Sequence, residues 1–381
     1  MDEKSRRYKK VIACIIITLT VLLSGIPASV FAADSFSTAE TLNLSEPYSD
    51  MLESKNDINY YKFTTTNNDS FYKVELRNTE ATDTIGLTLY SDDDATTDIY
   101  ELIADKANLD SDTRKLEPNH TYYIAVKNPY SYIGNPTGNY KIGVTEIKDD
   151  VSDNFNNSKS IPLNKKVAYN LEATNDYDYF KFTTTTNNSY YNIELSNSEA
   201  TNTIGLVLYS EDDSTTSVFD ITANTAALNS KTIKLEKKHT YYLLVSKAYS
   251  IDAPTGKYKL KITEIKDDAP DSFDKCIKLP LNKNNTFKLN VNGDADYFKF
   301  KPTKKGTYTI TLANKDGNGS ISAIIYNEAD VTQNMGFISS DKAMKNSNKF
   351  KLNANHTYYI AVKKSYDYSY VTGSYSLSIK K

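Results

Sequence analysis

The sequence predicts an all-β protein: three tandem antiparallel β-sandwich (jelly-roll-like) domains behind an amino-terminal export signal. Three observations predict it. Short runs alternate apolar and polar residues with period two. Clusters of Asn, Asp, Gly and Ser punctuate those runs at turn spacing. One set of sequence blocks recurs three times in the same order.

The amino terminus carries the export signal. Lys4, Arg6, Arg7, Lys9 and Lys10 form a basic start, Val11 to Leu23 is an apolar run, and Val30-Phe31-Ala32 places small residues at a cleavage site. This is the pattern of a secretory signal peptide over residues 1–32. The apolar run is short for a bilayer span of about 20 residues. Cleavage takes Lys+Arg from 45 to 40 and Asp+Glu from 48 to 46, a net charge of −6 over 349 residues. Cys14 leaves with the signal. Cys276 then stands alone, so no intramolecular disulfide is expected.

Composition excludes several classes. A chain of net charge −3 lacks the basic surface that neutralises phosphates, so nucleic acid is not an expected partner. Two Cys and three His cannot supply a thiolate zinc site or a disulfide framework.

The repeat defines three modules, expected at 33–150, 151–270 and 271–381. Asp57-Ile58-Asn59-Tyr60-Tyr61-Lys62-Phe63 returns as Asp176-Tyr177-Asp178-Tyr179-Phe180-Lys181-Phe182 and as Asp294-Ala295-Asp296-Tyr297-Phe298-Lys299-Phe300. His120-Thr121-Tyr122-Tyr123 returns at His239 and His356, and Gly138-Asn139-Tyr140 returns at Gly256 and Gly373. The Asp-to-His separations are 63, 63 and 62 residues. A period of this length is domain-sized, so each copy can bury its own core.

Within a copy the elements read as strands. Tyr191 to Leu195, Tyr258 to Ile262 and Tyr308 to Leu312 alternate apolar and polar residues, the pattern of strands with one face in a core and one in water. Thr and Tyr are abundant, as strands prefer. Long amphipathic helical stretches are absent. Short strands of even spacing read as a sandwich or jelly roll.

The Asp-x-Asp-Tyr-Phe-Lys-Phe run, the later Thr-Tyr-Tyr-Ile-x-Val and the final Gly-x-Tyr-x-Leu resemble the bacterial pre-peptidase C-terminal domain family. That family includes the collagen-binding domains of clostridial collagenases. The resemblance covers residues 34–381, three times over. It implies a compact β-sandwich that accompanies a secreted enzyme, with calcium at the amino-terminal linker in some members and matrix binding in others. One departure is His before Thr-Tyr-Tyr, where the family commonly has Gly.

Acidic clusters are the strongest chemical signal. Asp176 and Asp178 precede a strand, as do Asp294 and Asp296. Glu146, Asp149, Asp150 and Asp153 lead into the second module, and Glu264, Asp267, Asp268 and Asp271 into the third. Calcium takes six to eight hard oxygen ligands, which a linker folded back onto an Asp-x-Asp loop can supply. These twelve residues are the candidate calcium ligands of modules two and three; the competing reading is solvated turn acids. Module one has Asn59 in place of the second Asp and is expected to bind calcium weakly or not at all.

Other candidates read as structural. His120, His239 and His356 each follow a polar turn, and a position often held by Gly suggests an unusual φ. Asp92-Asp93-Asp94 and Glu211-Asp212-Asp213 read as hairpin tips. Cys276 has no nearby His, and no Gly-x-Ser-x-Gly elbow is present. No catalytic residue is assigned.

The expected function is a secreted, non-enzymatic, monomeric binding protein, released or associated with the cell wall. Its partner would be an extracellular matrix protein or cell-surface polymer, met by the outward tyrosine of each Tyr-Tyr pair. The alternative is a spacer acting beside a separately encoded secreted peptidase.

Overall fold

Alternation in the sequence becomes alternation in burial. The strand Ile58–Thr64 buries every second side chain, with Asn59, Tyr61 and Phe63 inside. A computed structural model describes residues 35–130, 133–251, 253–366 and 370–381; the signal expected at residues 1–32 lies outside them. Nine strands form the first module: β1 Glu40–Thr41, β2 Tyr48–Leu52, β3 Ile58–Thr64, β4 Ser70–Asn78, β5 Ile85–Ser91, β6 Asp98–Ala104, β7 Leu109–Lys115, β8 Thr121–Lys127 and β9 Gly138–Lys148. The five-stranded sheet has the order β1-β3-β8-β5-β6 and the four-stranded sheet the order β2-β9-β4-β7. Their facing sides enclose one core, with Tyr61, Phe63, Leu87 and Ile124 from the first sheet against Tyr72, Val74, Leu76 and Tyr140 from the second. Burying such side chains stabilises by roughly 1.5–3 kcal/mol each.

The same strand order returns in two further pairs of sheets, each with its own core. The protein therefore contains three β-sandwiches. The chain divides into two compact units; one ends at Asp149 and the other, Asp150–Lys381, holds the second and third sandwiches. Pairing is antiparallel except at one place in each module. The two-residue opening strands, such as β1, run parallel to the Asp-Tyr strand because they enter from a linker and not from a hairpin.

Glycine is required where the repeat retains it. Gly138, Gly256 and Gly373 open the last strands at φ of +124°, +122° and +130°. A Cβ on Gly256 would stand 2.8 Å from the carbonyl oxygen of Glu199. An L side chain there meets both an unfavourable backbone and a clash.

Candidate functional site

The first and last repeat motifs meet at one end of each sandwich. In module three, Asp294 precedes the strand Ala295–Phe300, Asp296 lies on it, and Tyr375 comes from Gly373–Lys380. Asp296 is wholly buried; its Oδ2 accepts from the Tyr375 hydroxyl, and its Oδ1 has no partner among the described residues. Asp294 Oδ2 accepts from Asn290 N at 2.6 Å, which closes the loop. The linker folds back, with Tyr297 N donating to Pro270 O at 2.9 Å. That return brings one carboxylate oxygen from each of Asp267, Asp294 and Asp296 within 4.8 Å of the others. Burial, and then the neighbouring Asp294 charge, push the Asp296 carboxyl up to about 9. Asp294 is raised in the same direction, chiefly by burial.

Module two repeats the arrangement. Asp178 is wholly buried and accepts from the Tyr258 hydroxyl. Asp176 Oδ2 accepts from Glu172 N at 2.7 Å, while its Oδ1 has no partner among the described residues. Burial and the Asp178 charge raise the Asp176 carboxyl far above the usual carboxylate range. Asp153 Oδ1 accepts from Tyr177 N at 2.9 Å, and Asp150 Oδ2 from Asn170 N at 3.0 Å. Asp149 ends the first unit, where Lys115 Nζ lies 2.6 Å away.

Module one is built differently at three positions that touch. Asn59 stands where the others have Asp178 and Asp296, Tyr61 where they have Phe180 and Phe298, and Asp50 where they have Tyr169 and Phe287. Asn59 Nδ2 donates to Met51 O at 2.9 Å and to the Tyr140 hydroxyl at 2.7 Å. Tyr140 and Tyr61 share a hydrogen bond of 2.5 Å, and Tyr61 donates to Asp50 Oδ2 at 2.5 Å. The carboxylate has moved from the Asp178 and Asp296 strand position to Asp50 on the neighbouring strand, and the Asn59 amide, the Tyr140 and Tyr61 hydroxyls and Asp50 form one hydrogen-bonded chain. In modules two and three, Tyr169 and Phe287 instead pack on Phe180 and Phe298, 4.7 and 4.5 Å between ring centroids.

Buried carboxylates with an unmet oxygen need a proton or a cation. The donors around Asp267, Asp294 and Asp296 are all oxygens, which suits a hard ion such as calcium and not zinc. The residues present in modules two and three fit such an ion; those of module one do not.

Not all twelve predicted ligands gather. Glu146 lies on β9, where its Oε1 accepts from Thr66, Asn68 and Ser70 at 2.6, 3.1 and 2.9 Å. Glu264 does the same with Thr185, Asn187 and Ser189. Both belong to the last strand of the preceding module, not to a linker. Asp268 accepts from Asn290 Nδ2 at 3.3 Å, and Asp271 stands 2.6 Å from Lys234 Nζ.

The histidines differ from expectation by one residue. The positive φ belongs to Asn119, Lys238 and Asn355, at 55°, 57° and 63°, and each His follows that turn. The rings face the acidic hairpin. His120 Nε2 lies 2.6 Å from Asp92 Oδ1 and 2.8 Å from Ser91 Oγ, and His239 Nδ1 lies 3.1 Å from Glu211 Oε1. Asp94 caps that hairpin by accepting from Thr96 and Thr97, which hold its carboxyl down at about 2. Cys276 is buried, and burial raises its thiol.

The tyrosine pairs also need correction. Their outward members at Tyr60, Tyr123, Tyr242 and Tyr359 do leave the core, but a phenylalanine ring covers each of them. Phe36 meets Tyr60, Tyr90 and Tyr123 edge-on at 4.8, 5.3 and 5.3 Å. Phe273 meets Tyr297, Tyr326 and Tyr359 in the same way. The exposed aromatics lie elsewhere. Tyr130, Tyr249 and Tyr366 are 50%, 58% and 52% exposed, each four residues beyond the buried Val of the Thr-Tyr-Tyr strand. Aligning the repeats one loop further would have found them. Tyr190, a member of the tyrosine pair at 190–191, and Lys234, which carried no sequence signal, reach Asp271 from module two.

No protein-family model matches the chain, and no curated protein matches it. Among solved structures, the chain is similar to the pre-peptidase C-terminal domain of a collagenase from Bacillus anthracis, at 18% identity and a TM-score of 0.23, covering 30% of this chain and 100% of that one. It is also similar to the M60 catalytic domain with two CBM51 domains of Clostridium perfringens ZmpB, at 8% identity and a TM-score of 0.18, covering 85% of this chain and 55% of that one. A third likeness is the PBSX exported protein XepA, at 10% identity and a TM-score of 0.19, covering 57% and 88%.

Proposed function

We propose that this chain is an exported, non-enzymatic binding protein whose modules hold an extracellular matrix protein or cell-surface polymer. The observation that carries it is the exposed tyrosine at one loop position in all three modules: Tyr130, Tyr249 and Tyr366. An exposed aromatic repeated in each domain has no core to serve, and tyrosine offers a large contact area with few rotors. Exposed Ile133, Ile251 and Tyr370 widen the same loops into apolar tips. A polymer presents recurring epitopes, so three weak contacts add through linkage.

Calcium stabilises modules two and three in this reading. Asp176 and Asp178, and Asp267, Asp294 and Asp296, are the residues that would hold it. Bound there, the ion would add positive charge beside these carboxylates. The support is the Asp296 oxygen that has no partner among the described residues, against the hydrogen-bonded chain of Asn59, Tyr140, Tyr61 and Asp50 in module one.

The test is sedimentation of the full chain with insoluble collagen and with cell-wall preparations. Replacing Tyr130, Tyr249 and Tyr366 together by Ala should leave the melting temperature unchanged and abolish co-sedimentation. Equal retention of the triple variant on every polymer bound would sink the loop assignment. Retention on none by the unaltered chain would favour the spacer role. Hydrolysis of peptide or glycan substrates by the purified chain would overturn the non-enzymatic reading.

A further inference from the structure

Two side chains of module two reach the acid cluster of module three. Lys234 Nζ lies 2.5 Å from Asp267 Oδ2 and 2.6 Å from Asp271 Oδ2. The ammonium also stands 4.2 Å from the centre of the Tyr190 ring. The Tyr190 hydroxyl donates to Asp294 Oδ1 at 3.2 Å and lies 3.3 Å from Asp271 Oδ2. The Asp267 side chain is fully buried, and Lys234 is 29% exposed. Solvent screening of this ion pair is therefore weak compared with a surface pair.

The ammonium neutralises the linker end of the cluster and leaves the loop end unmatched. Asp296 is wholly buried in the same cluster, and its Oδ1 has no partner among the described residues. That oxygen is an observation separate from the count of acids, and it points to a cation.

We propose that Lys234 is a built-in competitor for this site, and that it couples cation occupancy to the joint between modules two and three. The inference rests on the calcium reading above. Asp267 is common to both arrangements. It accepts from Lys234 now, and it would be a ligand when an ion joins it to Asp294 and Asp296. Two positive centres that share one carboxylate repel. Lys234 must withdraw as the site fills. Its partner Asp271 and the neighbouring Tyr190 then lose the ammonium that holds module two against module three. Lys234 thereby sets the cation concentration at which the joint changes.

Calorimetric titration of the full chain with calcium chloride tests this. The unaltered chain should take up two ions. In Lys234→Met the affinity of one of the two sites should tighten on the order of tenfold, because a like charge is gone. Lys234→Arg should keep the original affinity. Thermal melting in chelator checks that each variant folds, and Lys234→Gln replaces Lys234→Met if that variant does not. Calcium uptake by the unaltered chain with equal or weaker binding in the neutral variant overturns the competitor role and leaves the calcium reading standing. No uptake by the unaltered chain overturns both.

Discussion

Replacing Asp296 by Asn perturbs one oxygen at the centre of the candidate site. Asp296 Oδ2 accepts from Tyr375, and an amide oxygen can keep that bond. The other oxygen is buried and has no partner among the described residues. An amide nitrogen there becomes a donor facing Asp267 and Asp294, whose carboxylate oxygens lie within 4.8 Å. Asn59 of module one already works this way, donating to Met51 O and to Tyr140. A buried polar atom left unsatisfied costs about 1–3 kcal/mol. In a unit of 150–250 residues, 1 kcal/mol moves the melting temperature by about 2–4 °C. In chelator above about pH 9, where Asp296 has lost its proton, the Asp296→Asn chain should therefore melt roughly 2–12 °C higher in the transition of the second unit. Calcium should reverse the order. A ligand at 100 times its Kd adds about 2.7 kcal/mol to the native state, and the variant forfeits that share at module three. The assay is differential scanning calorimetry of the full chain in chelator and in millimolar calcium. An Asp296→Asn chain that melts lower in chelator and keeps the whole calcium shift would refute the reasoning.

Three further outcomes follow from the same geometry. Asp294 and Asp296 hold their protons more tightly when folded than when unfolded, so the calcium-free chain should lose stability as pH rises from about 4 towards about 9. Urea midpoints across that range check the sign, and a midpoint that climbs steadily with pH contradicts it. Gly256→Ala forces a side chain onto φ +122° and against Glu199 O, so it should cost about 1–3 kcal/mol, read as a lowered urea midpoint; an unchanged midpoint counts against the clash. Tyr61→Phe removes the hydroxyl between Tyr140 and Asp50 and should destabilise the first unit by about 1–3 kcal/mol. The same hydroxyl is already absent at Phe180, where Tyr169 packs instead, so Tyr61→Phe paired with Asp50→Tyr should recover part of the loss.

Much of the fold was legible because it depends on local pattern. Period-two alternation in Tyr258 to Ile262 reports one buried face whatever the partner strand, and the burial of Gly256–Lys266 follows it. The glycine of Gly-x-Tyr was visible as a repeat, and its reason, a positive φ against a carbonyl, is local as well. Side-chain partners were not legible. Glu146 and Glu264 looked like linker acids by their proximity to Asp149 and Asp267. They lie instead on strands, held by Thr and Ser from about 75–80 residues away. The tyrosine pairs showed that one ring must leave the core. Only packing shows that Phe36 and Phe273 then cover those rings.

The sequence by itself determined the all-β class, the strand periodicity and the triple repeat, because backbone pairing and the inside–outside alternation of strands are encoded within a few residues. It also singled out the Asp-x-Asp loops and the exceptional Asn59. Tertiary structure alone decided what those carboxylates meet. Tyr375 lies 79 residues from Asp296 in the chain, and Tyr190 lies 104 from Asp294. The electrostatic state of a buried acid depends on which distant donors and charges the folded chain brings to it, and no local pattern carries that information.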